Sequence, residues 1–283
     1  MGSFSNPWSN EGSGRAGPRQ QDEVDYAIRG HDLQFVEIEL DPGEAAVGEA
    51  GAFVWKDAAI EMSTVFGDGS DNQGGGGIVG ALLGAGKRLL TGASLFTTVF
   101  MNRGVGTARV AFAAPTPGGI VPLKLSDYGG RIICQKDSFL AAAKGVTIGI
   151  AFQRRIMTGL FGGEGFIMQQ LDGDGMVFVH MGGTIVERDL APGETIHVDT
   201  GCLAAMTATI DYDIETVRGV RSILFSGEGL FFARLTGPGS VWLQSLPFSR
   251  LAGRVLAVAR GGSKGADQSS PLGLLGDILD GDR

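Results

Sequence analysis

Apolar residues in this chain come in short runs that glycine interrupts. Val177-Phe178-Val179, Val241-Trp242-Leu243 and Phe231-Phe232 are β-branched or aromatic, with glycine close by. Runs of this length and chemistry predict strands. Thr207 to Tyr212 alternates apolar and polar residues, which also predicts a strand. Between Gly30 and Arg250 no window of about twelve residues carries a 3.6-residue period. The pattern predicts one all-β body over that span.

The strand pattern repeats. Glu37 to Val54 (EIELDPGEAAVGEAGAFV) aligns with Glu187 to Ala204 (ERDLAPGETIHVDTGCLA), and Pro122 to Leu140 (PLKLSDYGGRIICQKDSFL) aligns with both after one extra residue. Leu40, Leu125 and Leu190 coincide, and Pro42-Gly43-Glu44 matches Pro192-Gly193-Glu194. The small residue before the next apolar strand is Ala52, Ser138 or Cys202. A second set of corners follows: Thr91 to Phe96, Gly162 to Ile167 and Ser226 to Phe231. Each leads to a turn, at Asn102-Arg103-Gly104, Asp172 to Gly175 and Thr236 to Gly239. The second and third copies are offset by 64 or 65 residues at both landmarks, whereas the first is longer. Its excess is a Gly-rich insertion at 67–86.

A unit of this size is marginal alone, and stacked units can share a core and cover each other's edges. The expected architecture is three β-roll or sandwich units around a pseudo-threefold axis, in repeats of about 33–119, 120–184 and 185–250. They form a single all-β domain, 24–260. Leu40, Phe166, Phe231 and Trp242 are expected in its core. The polar, Gly/Ser-rich segment 1–23 and the segment 261–283 are expected to be disordered tails. Within the second, Leu272, Leu275, Ile278 and Leu279 recur at helical spacing, although Gly273 and Gly276 weaken that pattern.

The E-x-x-L-x-P-G-E strand-turn, the Gly-rich insertion and the T-G-x-S-L-F and S-G-E-G-L-F corners resemble those of a bacterial family of uncharacterised proteins. That family is related to the altered-inheritance-of-mitochondria proteins of fungi. The resemblance covers about Tyr26 to Arg250 and departs at Ala93, where the family tends to have Glu. It implies a fold like that of the tryptophan RNA-binding attenuation protein, with three β units per chain. The fungal relatives are linked to organisation of the mitochondrial inner membrane, which implies a scaffold or membrane-peripheral role. RNA binding is not implied, because no RNA-contacting motif of the attenuation protein is recognisable.

Composition narrows the function. Glycine supplies 48 of 283 residues, about 17% against roughly 7% in ordinary proteins. With no G-X-Y period, this marks many tight turns. The net charge of −8 disfavours nucleic acid, whose phosphates need a basic excess. Cys134 and Cys202 alone make no disulfide framework and suit a reducing, cytoplasmic compartment. No apolar run approaches the roughly 20 residues of a spanning helix, and the N-terminus lacks the features of a signal or transit peptide.

Candidate chemistry is sparse. Gly80 to Arg88 superficially resembles a P-loop, but its first glycine is one place too early and Arg88 replaces the hydroxyl. Asp172 to Gly175 lacks the remaining oxygen ligands of a calcium loop and reads as a hairpin turn. His31, His180 and His197 form no metal-binding pairs. Cys134 and Cys202 read as structural thiols. Glu164 and Glu228 occupy equivalent corners and read as turn caps. Arg154-Arg155 and Lys87-Arg88 are too few to line a nucleic-acid groove.

These readings favour a non-enzymatic scaffold or binding protein without catalytic residues, metal or cofactor. It is expected to self-associate and to contact a membrane periphery or a protein partner. The alternative is a small-ligand-binding or enzymatic β-barrel with its site between repeats. The candidate contact is the insertion, where Ile78, Val79, Leu82 and Leu83 precede Lys87 and Arg88. The other two copies connect their halves without it, and dispensable loops commonly carry binding residues. Deleting 69–84 is therefore expected to leave the β-sheet circular-dichroism signal intact while changing oligomer mass or liposome binding. A folded deletion protein with both properties unchanged would make the insertion a passive loop.

Overall fold

The computed structural model describes residues 24–65, 97–114, 116–154, 166–216 and 231–261. The insertion and its candidate contact residues, the segments 1–23 and 262–283, and most of the second set of corners lie outside them.

The fold is all-β. A leading strand, β1 (Asp25–Arg29), precedes three runs of six strands. The first run is β2 (Phe35–Leu40), β3 (Ala45–Glu49), β4 (Phe53–Lys56), β5 (Ile60–Val65), β6 (Thr97–Asn102) and β7 (Ala108–Ala113). The second is β8 (Gly118–Lys124), β9 (Arg131–Gln135), β10 (Phe139–Ala143), β11 (Thr147–Arg154), β12 (Phe166–Asp172) and β13 (Met176–Gly182). The third is β14 (Ile185–Leu190), β15 (Thr195–Asp199), β16 (Leu203–Thr207), β17 (Asp211–Thr216), β18 (Phe231–Thr236) and β19 (Gly239–Gln244).

Every run uses the same pairing. Its first, sixth and third strands form one antiparallel sheet, and its second, fifth and fourth form another. A one-residue bulge recurs on the third strand, after Phe53, Phe139 and Leu203. A short 3-10 turn joins the second strand to the third in each unit, ending at Ala52, Ser138 or Cys202. Leu40, Leu125 and Leu190 are all buried.

The shared Pro-Gly-Glu turn has a local cause. Gly43 (φ +86°) and Gly193 (φ +79°) occupy the left-handed region that side chains resist. The following glutamates fold back: Glu44 accepts from the Asp41 amide at 2.7 Å, and Glu194 from the Ala191 amide at 3.0 Å. The amide of Gly43 donates to the Asn102 carbonyl at 2.9 Å, and that of Gly193 to the Gly237 carbonyl at 3.2 Å. Each turn is thereby tied to the hairpin between the fifth and sixth strands of its own unit.

Neighbouring units are joined by one further pairing, the second strand of one unit against the third strand of the next. At β3–β10, Gly48, Val47 and Ala46 lie opposite Ala141, Ala142 and Ala143. At β9–β16, Cys134, Ile133 and Ile132 lie opposite Ala205, Met206 and Thr207. Each junction merges two sheets into one of six strands. The expected threefold axis would call for a third junction, β15 against β4. Among the described residues these two strands are not paired with each other.

Cores are shared between neighbouring units. The first unit's core takes in Leu140, Ala141 and Phe178 from the second. The second unit's core takes in Ala204, Ala205 and Trp242 from the third. The third unit's core includes Ile133, Phe166 and Met168 from the second. No described cluster mixes residues of the first and third units. The inserted aromatics are met edge-on, Phe178 by Tyr26 at 5.0 Å and Trp242 by Tyr128 at 5.4 Å between ring centroids. Each is paired across the sheet with an alanine, Phe178 with Ala141 and Trp242 with Ala205. In the first unit the sizes are exchanged: Trp55 lies opposite Ala111.

Two elements differ from the sequence expectation. Thr207 to Tyr212 is not a continuous strand. Ala208 to Ile210 turn, with the Ile210 amide donating to the Thr207 carbonyl at 3.2 Å, and Ile210 enters the core. Apolar alternation there comes from two strand ends meeting across a turn. The span 24–260 also ends in a helix, α1 (Phe248–Gly261). Pro247 precedes it as a residue with a preset backbone angle and no amide to satisfy. Leu251 and Val255 lie one helical turn apart, but this period starts only at the edge of the body.

Leu40, Phe166 and Trp242 are fully buried, as expected of core residues; the Phe231 side chain is outside the described set. Trp242 reaches into a neighbouring unit's core, so Trp242→Ala is expected to cost about 3–5 kcal/mol in chemical denaturation. Val105→Ala, at a fully exposed loop position, is expected to change stability by less than about 0.5 kcal/mol. Equal losses at the two sites would refute this account of the packing.

Candidate functional site

The groups that could carry chemistry are dispersed. Cys134 is buried on β9, where loss of hydration pushes its thiol up to about 12 and keeps it protonated. The Cys202 thiol is also raised, first by burial and then by Asp199, against the opposing influence of Arg250. Arg250, from α1, donates to the Cys202 sulfur at 3.5 Å and to an Asp199 carboxylate oxygen at 3.3 Å, pinning the start of the helix to the third unit. Neither thiol has the lowered pKa of a nucleophile. Among the described residues no group of three or more His, Cys, Asp or Glu side chains is placed to hold a metal ion.

The histidines do not converge. His180 lies inside β13, buried, and burial lowers its pKa to about 4. A hydrogen bond to the Thr116 backbone opposes that shift only in part, and Nε2 has no protein partner. His197 lies on the exposed face of β15, 3.7 Å from Glu215. It continues a row across the sheet, His197 opposite Arg234 and Arg234 opposite Asp213. Arg234 also contacts Glu215 at 3.0 Å. This solvated row is built for charge balance on a sheet face.

Buried polar side chains instead hold units together. Gln244 donates to the Gln135 carbonyl of the second unit at 3.2 Å and to the Gly201 carbonyl at 2.9 Å. Its own carbonyl accepts from the Gly182 amide at 2.9 Å. Gln34 accepts from the Ile120 amide at 2.7 Å, linking the first and second units. Each satisfies backbone groups that burial would otherwise leave unpaired.

The strands β4 and β15, which lack this inter-unit pairing among the described residues, are different. All five residues of β10 and all five of β16 are buried. At the corresponding place in the first unit, Phe53 is 36% and Val54 50% exposed, with Trp55 and Lys56 half-buried. Their counterparts Phe139, Leu140, Leu203 and Ala204 are at most 6% exposed. On β15, Ile196 is half-buried and His197 exposed, whereas the matching β9 residues Ile132 and Ile133 are buried. Residue typing missed this surface. The signal was in the repeat alignment, where Phe53-Val54-Trp55 keeps core chemistry.

A family profile described as mitochondrial biogenesis AIM24 matches residues 26–246, from β1 to just past β19. The chain belongs to the AIM24 family. The match spans all three units and stops before α1, so the AIM24 region is the β body itself. A crystal structure of a Streptococcus pyogenes protein is similar to it, with 26% identity and a TM-score of 0.63 over 83% of this chain and 99% of that one. No curated protein matches the chain. Among the described residues no helix is long and apolar enough to cross a membrane.

The buried imidazole makes stability depend on pH. An unfolded histidine binds a proton near pH 6.5, whereas His180 in the fold resists one until about 4. Its contribution is present above pH 6.5 and is lost as pH falls toward 4, because the unfolded state gains the proton first. The full loss is on the order of 3 kcal/mol. His180→Gln is expected to flatten the stability profile between pH 6.5 and 5, measured by urea denaturation, and an unchanged slope would show that the imidazole titrates freely.

Proposed function

We propose that this AIM24-family protein is a non-enzymatic scaffold or binding protein of the cytoplasm, working at a membrane periphery in a process related to mitochondrial biogenesis. The observation that carries this reading is the exposed apolar stretch Phe53-Val54 at one end of a body whose matching strands are core. Exposed large apolar groups on an otherwise well-packed protein mark contact surfaces. Burial raises the thiol of Cys134 and lowers the imidazole of His180, which suits structural roles better than turnover. The acidic net charge of −8 argues against nucleic acid as the partner.

Affinity capture from native lysate, with proteins, lipids and small molecules measured together, tests the proposal. The expected outcome is retention of a protein or lipid class that Phe53→Ser together with Val54→Lys reduces. Stoichiometric recovery of one small molecule that the protein converts on incubation would replace this reading with an enzymatic one.

A further inference from the structure

Several edge strands recur from unit to unit, and the first strands β8 and β14 are edges in the second and third units. The fourth strands, β5, β11 and β17, pair on one side only. Two edges are different in kind. The third strand is interior in the second and third units, β10 between β3 and β13 and β16 between β9 and β19, but β4 pairs only with β7 among the described residues. The second strand is interior in the first and second units, β3 between β6 and β10 and β9 between β12 and β16, but among the described residues β15 pairs only with β18. The described strands thus leave one unfilled example of each half of a junction that the chain makes twice.

The side chains match this. At each formed junction an aromatic of the following unit enters the preceding unit's core: Phe178 in the first, Trp242 in the second. The third unit's core holds Phe166 from the unit before it and, among the described residues, no aromatic from a following unit. At the free β4 end, the corresponding cross-strand pair is Trp55–Ala111, and Trp55 is half-buried. One end therefore presents an aromatic at the position through which a following unit would reach the other end's core. Lys56 is also suited to the charged row on β15, where Glu215 and Asp213 stand beside His197 and Arg234.

We propose that β15 of one copy pairs antiparallel with β4 of a second copy, in the register of β3–β10 and β9–β16. This joins chains head to tail, extends each sheet across the boundary and seats Trp55 against the third unit's core. The contact is heterologous, using two different patches, so it produces closed rings or open filaments rather than an isologous dimer. It uses the same exposed β4 surface that carries the scaffold reading and commits that surface to a second copy of the chain.

The formed junctions place Ala142 opposite Val47 and Met206 opposite Ile133. By the same register Lys56 faces His197. Lys56→Cys and His197→Cys are each made in a full-length Cys202→Ser chain, coexpressed, and treated with a short thiol cross-linker. The expected result is a covalent dimer in the coexpressed sample and none from either variant alone. A double variant carrying both cysteines is expected to yield a series of multimers. Light scattering of the unmodified chain should give a multiple of 29.4 kDa, falling to that single mass with Val54→Lys while the circular-dichroism signal is kept. A cross-link within one chain would show that β4 and β15 close on each other and overturns the proposal. Absence of cross-links with a single-chain mass overturns it too, and such a monomer that still captures a lipid or protein through Phe53 and Val54 would leave the scaffold reading standing alone.

Discussion

The constraint behind this structure is that no unit can close its own core. Six short strands make two small sheets, and a unit of that size buries too small a fraction of its surface to stand alone. The solution is the junction of a second strand with the next unit's third strand. It supplies backbone partners to both edges and carries an aromatic side chain across the boundary. The facing residues are small at β3–β10 and larger at β9–β16, where Met206 lies opposite Ile133, so the backbone pairing is what the two junctions share.

From that junction the placement of polar groups follows. Where sheets of different units meet, backbone amides turn inward with no water to satisfy them. Gln34 and Gln244 occupy those places and accept from Ile120 and Gly182. Titratable groups divide the same way. Burial favours the neutral forms of Cys134 and His180, while Arg234 and Glu215 form an ion pair on the outer face. Among the described residues, the buried Gln34 and Gln244 serve to join units.

Much of this was legible in the sequence. Strand character came from the apolar runs, and the coincidence of Leu40, Leu125 and Leu190 marked equivalent buried positions. The Pro-Gly-Glu turns were visible because left-handed backbone geometry leaves a glycine signature. The 207–212 turn was not, because Ile210 is apolar for its own reason and completes an alternation by accident. The helix at Phe248 begins where the body ends, too late for a period to register inside it. The open ends were hidden for a deeper reason: Phe53, Val54 and Trp55 have core chemistry, and only the absence of a neighbouring strand makes them surface. Pairing between distant strands is a property of topology, and local patterns do not encode it.

The exchanged sizes of Trp55 and Ala111, against Ala141 with Phe178 and Ala205 with Trp242, bear on how such a gene can change. Internal duplications tend to be homogenised by recombination between copies. Copying one strand alone, such as the β10 segment over β4, would put Ala opposite Ala111 and leave a hole. The reverse transfer would set Trp against Phe178 and collide. Only exchange that carries the third and sixth strands together preserves the volume of the pair. Those strands are separated in the first copy by the long insertion and in the others by less, so crossovers rarely move both. The exchanged pair therefore makes transfer of a single strand between the copies costly in packing volume.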